Sequence, residues 1–231
     1  MFADLQYLQD QIQLLIDADN NTPAVGTDDW DARTAYINQA VHRWENVDGV
    51  WWRELWTTLA DAASGDDATV AAQTTYDTPT DFRFAGGFVR ITGSNGTVAY
   101  YPVLDATENQ LRNTTTETYA YFTGNTKTGY SLHLNPAPTE NGLAINYDYY
   151  KRATELSDDG DVIEMANPSF AVNYGSAIHY RNQRDLSRYS NYLADAEEDL
   201  LDMQIRDQSK PPWQDDSIPD LSKINNKGFG S

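Results

Sequence analysis

The sequence predicts an α+β protein: a helical bundle into which an antiparallel β-meander is inserted, followed by an extended C-terminal tail. Three observations carry that prediction. Apolar residues recur at three- and four-residue steps through the first part of the chain and again from residue 168 onward. Between these stretches the period falls to two and the residues turn aromatic and β-branched. From residue 209 periodicity stops and Pro, Asn and Gly take over. A chain of 231 residues can hold one sizeable core or two small ones, and its 12% aromatic content supplies rings to fill them.

Residues 1–68 read as two or three N-terminal helices. Leu5, Leu8, Ile12, Leu15 and Ile16 share one helical stripe, which Pro23 and Gly26 end. Thr27 is a capping residue, Asp28 and Asp29 are first-turn acids, and the helix they open carries Trp30, Ile37, Val41 and Trp44 on one face. After Asp48-Gly49, Trp52, Leu55, Trp56 and Leu59 resume helical spacing. Residues 69–157 form the insert, with strands FRFAGGFVRIT, TVAYYPVL, TETYAYFT, YSLHL and LAINYDYYKRA separated by turn chemistry such as GSNG and GNTKTG. In the last of these, Leu143, Ile145, Tyr147 and Tyr149 alternate with Ala144, Asn146, Asp148 and Tyr150, as in a strand with one buried face. Residues 158–208 complete the bundle. Asn167 caps, Pro168 starts, and an apolar row from Phe170 to Met203 predicts one long helix of ~60 Å at 1.5 Å per residue. Residues 209–231 are the tail, in which Trp213, Ile218, Leu221 and Phe229 are the apolar anchors.

Charge is the strongest global signal, with 35 acids against 16 bases and a net charge of -19. Such a surface repels nucleic acid or lines a channel through which DNA slides. Equally, it suits life at high salt, where a Debye length of about 3 Å in molar salt screens self-repulsion. The even spread of acids favours the salt reading, and the two coexist. Neither is compatible with binding the phosphate backbone directly.

The search for chemistry ends without a catalytic constellation. There is no cysteine, no GxSxG elbow and no phosphate-cradling Gly-rich loop with Lys. No stretch is apolar over the length of a membrane span, and MFADLQYLQDQIQ lacks a signal-peptide pattern. His42, His133 and His179 lie far apart with no ligand spacing, and no cofactor is implied. Asp158, Asp159, Asp161 and Glu164, with Gly160 among them, are a weak candidate for calcium or magnesium, since hard cations favour clustered carboxylates. The EF-hand spacing is missing, and the same residues suit a solvated turn that caps a helix. Trp51 and Trp52 cannot both face one core, so Trp51 is a candidate subunit contact. Arg181, Arg184 and Arg188 fall on nearly one face of the predicted long helix and are candidates for pairing with acids of an adjacent subunit.

The order of elements, and above all the junction LHLNPAP, LAINYDYYKRATEL, SDDGD, NPSF, resembles the head–tail connector (adaptor) proteins of tailed viruses. Leu156, Asp158, Asp161 and Pro168 fit that pattern, whereas Ala153 stands near where a proline is usual. The acidic, Lys-poor composition adds a halophilic host, an archaeon. The resemblance implies a virion neck protein that forms a ring of about twelve copies. Its partners would be itself, the portal protein and the next neck or tail protein, with DNA passing through the lumen without specific binding and no membrane involved. It would be assembled in the host cytoplasm and act in the virion. In such proteins a C-terminal segment reaches the portal. By position that segment is the tail here, with Pro211, Pro212, Trp213, Ile218, Leu221 and Phe229 as its contacts. The residues also leave open a tail-tube or nozzle component, a carbohydrate- or host-binding module using the aromatic sheet, and a hydrolase whose acids, such as Asp148 and Asp161, would have to converge on His133.

Overall fold

A computed structural model of the chain describes residues 3–59, 68–104 and 117–207. It is α+β, with four α-helices and eight strands among the described residues. The chain divides into two compact units, a helical one from residues 3–55 with 153–207 and a β unit from residues 56–152.

The helical unit contains α1 (Leu5–Asp17), α2 (Asp28–Glu45), α3 (Ser169–Asn182) and α4 (Leu186–Arg206). Each start has a local cause. Asp4 accepts from the Tyr7 N–H, Thr27 from the Trp30 N–H and Asp185 from the Arg188 N–H. Asn167 caps α3 by accepting from the Ser169 N–H at 3.1 Å, one residue offset from the predicted start. α3 is the inner helix, and its buried residues Phe170, Val172, Gly175, Ile178 and Tyr180 cover more than one face. Gly175 is needed for close approach, because a Cβ there would lie 3.0 Å from Ile12 Cδ1. α2 contributes Trp30, Ile37, Val41 and Trp44, as its periodicity predicts. Trp52 stacks on Trp44 at 5.3 Å between ring centroids and donates its Nε1–H to the Trp44 carbonyl at 2.6 Å.

Polar clips fasten the returning chain to the N-terminal helices. Asn38 donates to the Leu156 carbonyl and accepts from the Leu156 N–H, both at 2.9 Å, as a neighbouring strand would. The acidic turn supplies carbonyls to the first turn of α1: Leu5 N–H donates to Asp161 O at 2.8 Å and Gln6 N–H to Asp159 O at 3.0 Å. Two orphan donors of that helix end are thereby satisfied.

In the β unit, β8 (Ile145–Lys151) is central to a five-stranded sheet. β1 (Trp56–Leu59) pairs along one side of it. β3 (Phe82–Ala85) and β4 (Phe88–Thr92) pair with it in succession, and β5 (Val98–Pro102) flanks β4. Gly86 and Gly87 separate β3 from β4, and Gly87 adopts φ 73°, which suits glycine. A second sheet has the order β2 (Thr75–Asp77), β7 (Gly129–Asn135), β6 (Tyr119–Asn125). All named pairings are antiparallel. Ile145, Tyr147 and Tyr149 are buried, in keeping with the alternation read in the last strand, but Tyr150, which that alternation puts on the opposite face, is buried as well. Phe82 gathers the core: it stacks on Phe122 at 4.8 Å and Tyr149 at 5.7 Å and meets Tyr130 at 5.3 Å.

Three details differ from the prediction. The single long C-terminal helix is two helices. Arg184 sits at φ 64°, the Asp185 N–H donates to Tyr180 O and the Arg184 N–H to Arg181 O. That pattern is a Schellman stop, here with Arg where Gly is usual, and Asp185 then caps α4. α3 and α4 form a hairpin in which Tyr180 and Tyr192 stack at 5.5 Å and Asn173 reaches Asp199 at 2.9 Å. The helix predicted across Trp52–Leu59 is a short 3-10 turn, Arg53–Leu55, followed by β1. Trp56-Thr57-Thr58 is β-branched and aromatic, and pairing with Tyr150, Tyr149 and Asp148 outweighs helical spacing. The sheets are not a sequential meander either, since β8 returns between β1 and β4. The tail falls outside the described residues.

Candidate interaction surfaces

Among the described residues, none of the three histidines joins a catalytic arrangement. His42 is exposed and contacts Glu155 through Nε2 at 3.0 Å. His179 lies beside Gln183, and burial, then the nearby Arg33 charge, lowers its pKa. His133 stands on the outer face of the three-stranded sheet. Its ring nitrogens lie 3.1 Å from Thr75 Oγ1 and 2.7 Å from Thr123 Oγ1, the Tyr121 ring stacks on it at 4.6 Å, and burial lowers its pKa. Asp148 bonds Thr58 at 2.6 Å on β8, and Asp161 belongs to the other unit.

Two acids of the candidate metal cluster, Asp161 and Glu164, have structural partners. Asp161 Oδ2 accepts from the N–H of Ser157 at 2.7 Å and of Asp158 at 2.8 Å. These bonds, that of Asp158 first, hold its carboxyl below the ordinary aspartate range. Glu164 accepts from the Thr154 N–H at 3.1 Å. Among the described residues, no three His, Asp or Glu side chains are grouped to hold a metal ion.

The interface candidates are scattered by the helix break. Arg181 lies in the last turn of α3, Arg184 occupies the turn between the helices, and Arg188 lies on α4, so they do not form one row on one helix. Arg188 is engaged within the chain, donating to Tyr180 Oη at 3.2 Å with its guanidinium 5.2 Å from that ring's centroid. Arg181 and Arg184 are exposed. Trp52 is buried and Trp51 half-buried, which agrees with the argument that only one of them faces the core. The tail candidates Pro211, Pro212, Trp213, Ile218, Leu221 and Phe229 lie outside the described residues.

The periodicity argument missed two apolar surfaces. On α1 the predicted stripe includes Leu15, yet Leu15 is 37% exposed, and Tyr7 and Leu14 are more exposed still. On α4, Leu201 and Ile205 are exposed beside the buried Leu200 and Met203. The available signal was an apolar stripe wider than one core face. A cleft of about 420 Å³ opens in the β unit along Phe82, Gly86, Phe122 and Tyr130. Among the described residues, no carboxylate or imidazole lines it.

No helix among the described residues is long and apolar enough to cross a membrane. No curated protein matches the sequence. The family of SU10 adaptor proteins does, across residues 3–215, a span that takes in every helix and strand described above. This chain therefore belongs to the SU10 adaptor protein family, and its role is that of a phage structural adaptor.

Proposed function

We propose that this adaptor is the neck component that joins the capsid portal to the tail. It stands as a ring of about twelve copies that continues the DNA channel. The match to an adaptor family over residues 3–215 carries this reading. The charge of -19 supports it, because an acidic lumen lets DNA slide without adhering. The same composition favours a halophilic archaeal host, in which high salt screens repulsion between neighbouring copies. Residues 209–231 are the portal-binding tail, through Trp213, Phe229 and the apolar residues between them. A weak anchor repeated around a ring gains avidity from its copy number. The next neck or tail protein is the partner on the far side.

Electron microscopy of the purified protein in molar potassium chloride, alone and mixed with its portal, tests the proposal. Rings of about twelve subunits in either sample are expected. Compact monomers in both, with no portal association, would sink it. The outer sheet face would then be the first place to seek a saccharide ligand, since the Tyr121–His133 stack is half-buried and flanked by Thr hydroxyls.

A further inference from the structure

The sequence contains two Asn-Gly pairs, Asn95-Gly96 and Asn141-Gly142. In such a pair the glycine carries no side chain to shield its backbone nitrogen, which can reach the asparagine amide. Asn95-Gly96 forms the tip of the β4–β5 hairpin. There the Gly93 N–H donates to Thr97 O at 2.7 Å and the Gly96 N–H to Gly93 O at 2.9 Å, and Gly96 takes φ 81°, which calls for glycine. Asn141-Gly142 lies in the loop that leads into β8. All four residues are exposed, so exposure does not tell the two pairs apart.

Side-chain bonding does. Asn95 Oδ1 accepts from the N–H of Thr97, two residues on, at 2.9 Å. That bond folds the side chain forward across the Gly96 peptide and keeps Cγ beside the Gly96 nitrogen. It also sets a donor on the oxygen where negative charge grows when a nitrogen adds to Cγ. Asn141 Oδ1 is drawn away instead, accepting from the Ala71 N–H at 2.8 Å, and the Gly142 N–H donates to Thr69 O at 2.8 Å. Thr69 is itself buried, and its N–H donates to Leu143 O at 2.8 Å. The second pair is thus clamped by chain 70 residues away. The bonds that hold Asn95 and Gly96 stay within their own turn.

We propose that Asn95 is a modification site, converted by slow, enzyme-free deamidation to aspartate and isoaspartate, while Asn141 is protected. The Gly96 nitrogen gives up its proton and bonds to Asn95 Cγ. The Cγ–Nδ2 bond breaks, and Nδ2 leaves as ammonia with that proton, closing a five-membered imide. Water then opens the ring. Addition at Cγ yields aspartate, and addition at the Asn95 main-chain carbonyl yields isoaspartate, whose backbone runs through Cβ and Cγ. No oxidant or reductant takes part. Either product adds a negative charge near Glu140, since a Cβ on Gly93 would lie 3.1 Å from Asn95 Oδ1 and 3.9 Å from Glu140 Oε1. Glu140 Oε2 accepts from Ser94 Oγ at 2.7 Å, so like charges meet at the clasp between the two turns. The tip of the β4–β5 hairpin therefore changes with the age of the chain, whether or not the chain stands in a ring.

The test holds the full-length protein, with folding confirmed by circular dichroism, at mildly alkaline pH in molar potassium chloride, and a second sample in guanidinium chloride. Both are sampled over weeks, cut with trypsin and read by mass spectrometry, with fragmentation to place each conversion. Residues 91–112 carry Asn95 and residues 128–151 carry Asn141 on separate peptides. In denaturant the two asparagines are expected to convert at comparable rates, since each precedes glycine. In the folded chain Asn95 is expected to run about tenfold or more ahead, in line with the rate lost when a reacting pair is misplaced. Equal conversion of both in the folded chain, or none at Asn95, would overturn the proposal. The same lead in denaturant would trace it to flanking sequence and overturn the role given to the turn. Asn95→Gln lengthens the side chain and is expected to abolish the conversion within residues 91–112. A conversion that persists there would move the site to Asn109 and overturn the assignment.

Discussion

In the helical unit, two stretches separated by about 100 residues of chain must find each other, and polar groups fasten them once they meet. Asn38 holds Leu156 from both sides, and the acidic turn lends its carbonyls to the start of α1. In the β unit one continuous stretch closes on itself, and rings do the closing, with Phe82 touching Phe122, Tyr130 and Tyr149. Burial of apolar surface is tolerant of direction, whereas a hydrogen bond is not. The β unit is therefore most sensitive to lost volume, and the helical unit to lost polar partners.

The sharpest way to break the contrast is Phe82→Ala. Removing a buried ring costs about 3–5 kcal/mol, and here the loss falls on the β unit. Urea titrations should show the tyrosine near-ultraviolet signal unfolding at lower denaturant while the helical signal at 222 nm holds its midpoint. Equal shifts in both signals would mean that the two units unfold as one. Asn38→Ala is the converse, stripping the Leu156 N–H and carbonyl of their partner at about 1–3 kcal/mol. The helical signal should move, and the near-ultraviolet one only by the share that rings of the helical unit, such as the Tyr180–Tyr192 stack, contribute. Asn38→Asp, which still accepts from the Leu156 N–H but sets an acceptor oxygen against the Leu156 carbonyl, should not recover the loss at neutral pH.

The smallest effect concerns Asp161. Its carboxyl titrates below the ordinary aspartate value of 3.8 because backbone N–H groups of Asp158 and Ser157 bond its charged form. A folded pKa below the unfolded one stabilises fully above the unfolded value, and that contribution fades as pH falls through the folded value. Asp161→Asn should thus flatten the acid limb of the helical unit's stability, read from melts taken between about pH 2 and pH 5.

Much of this architecture was legible in the sequence. Thr27 and the Trp30–Trp44 stripe placed α2, and the alternation from Leu143 to Tyr149 placed β8 with its buried face. The stop after α3 was hidden because apolar spacing runs on through it and Arg184, not Gly, takes the left-handed turn. Strand order was hidden as well. Thr57 pairs with Tyr149, and nothing near either residue names the other. The sequence alone gives Asn38 no role and makes Asp161 a candidate cation ligand, since the partner of each clip lies more than 100 residues away along the chain. The apolar strips escaped for the opposite reason: Leu14 and Leu201 look like core until the core is seen to be full without them.

The bond from the Leu5 N–H to Asp161 O has a consequence for synthesis. Translation delivers α1 and α2 first, but neither the turn that caps α1 nor the helix that α1 and α2 pack against yet exists. About 100 residues of β unit come next, a delay of about 5–20 s at about 5–20 residues per second. The β unit is contiguous and can close during that interval. The first helices of the chain are thus among its last parts to mature, waiting as half-buried amphipathic segments at the ribosome until α3 emerges.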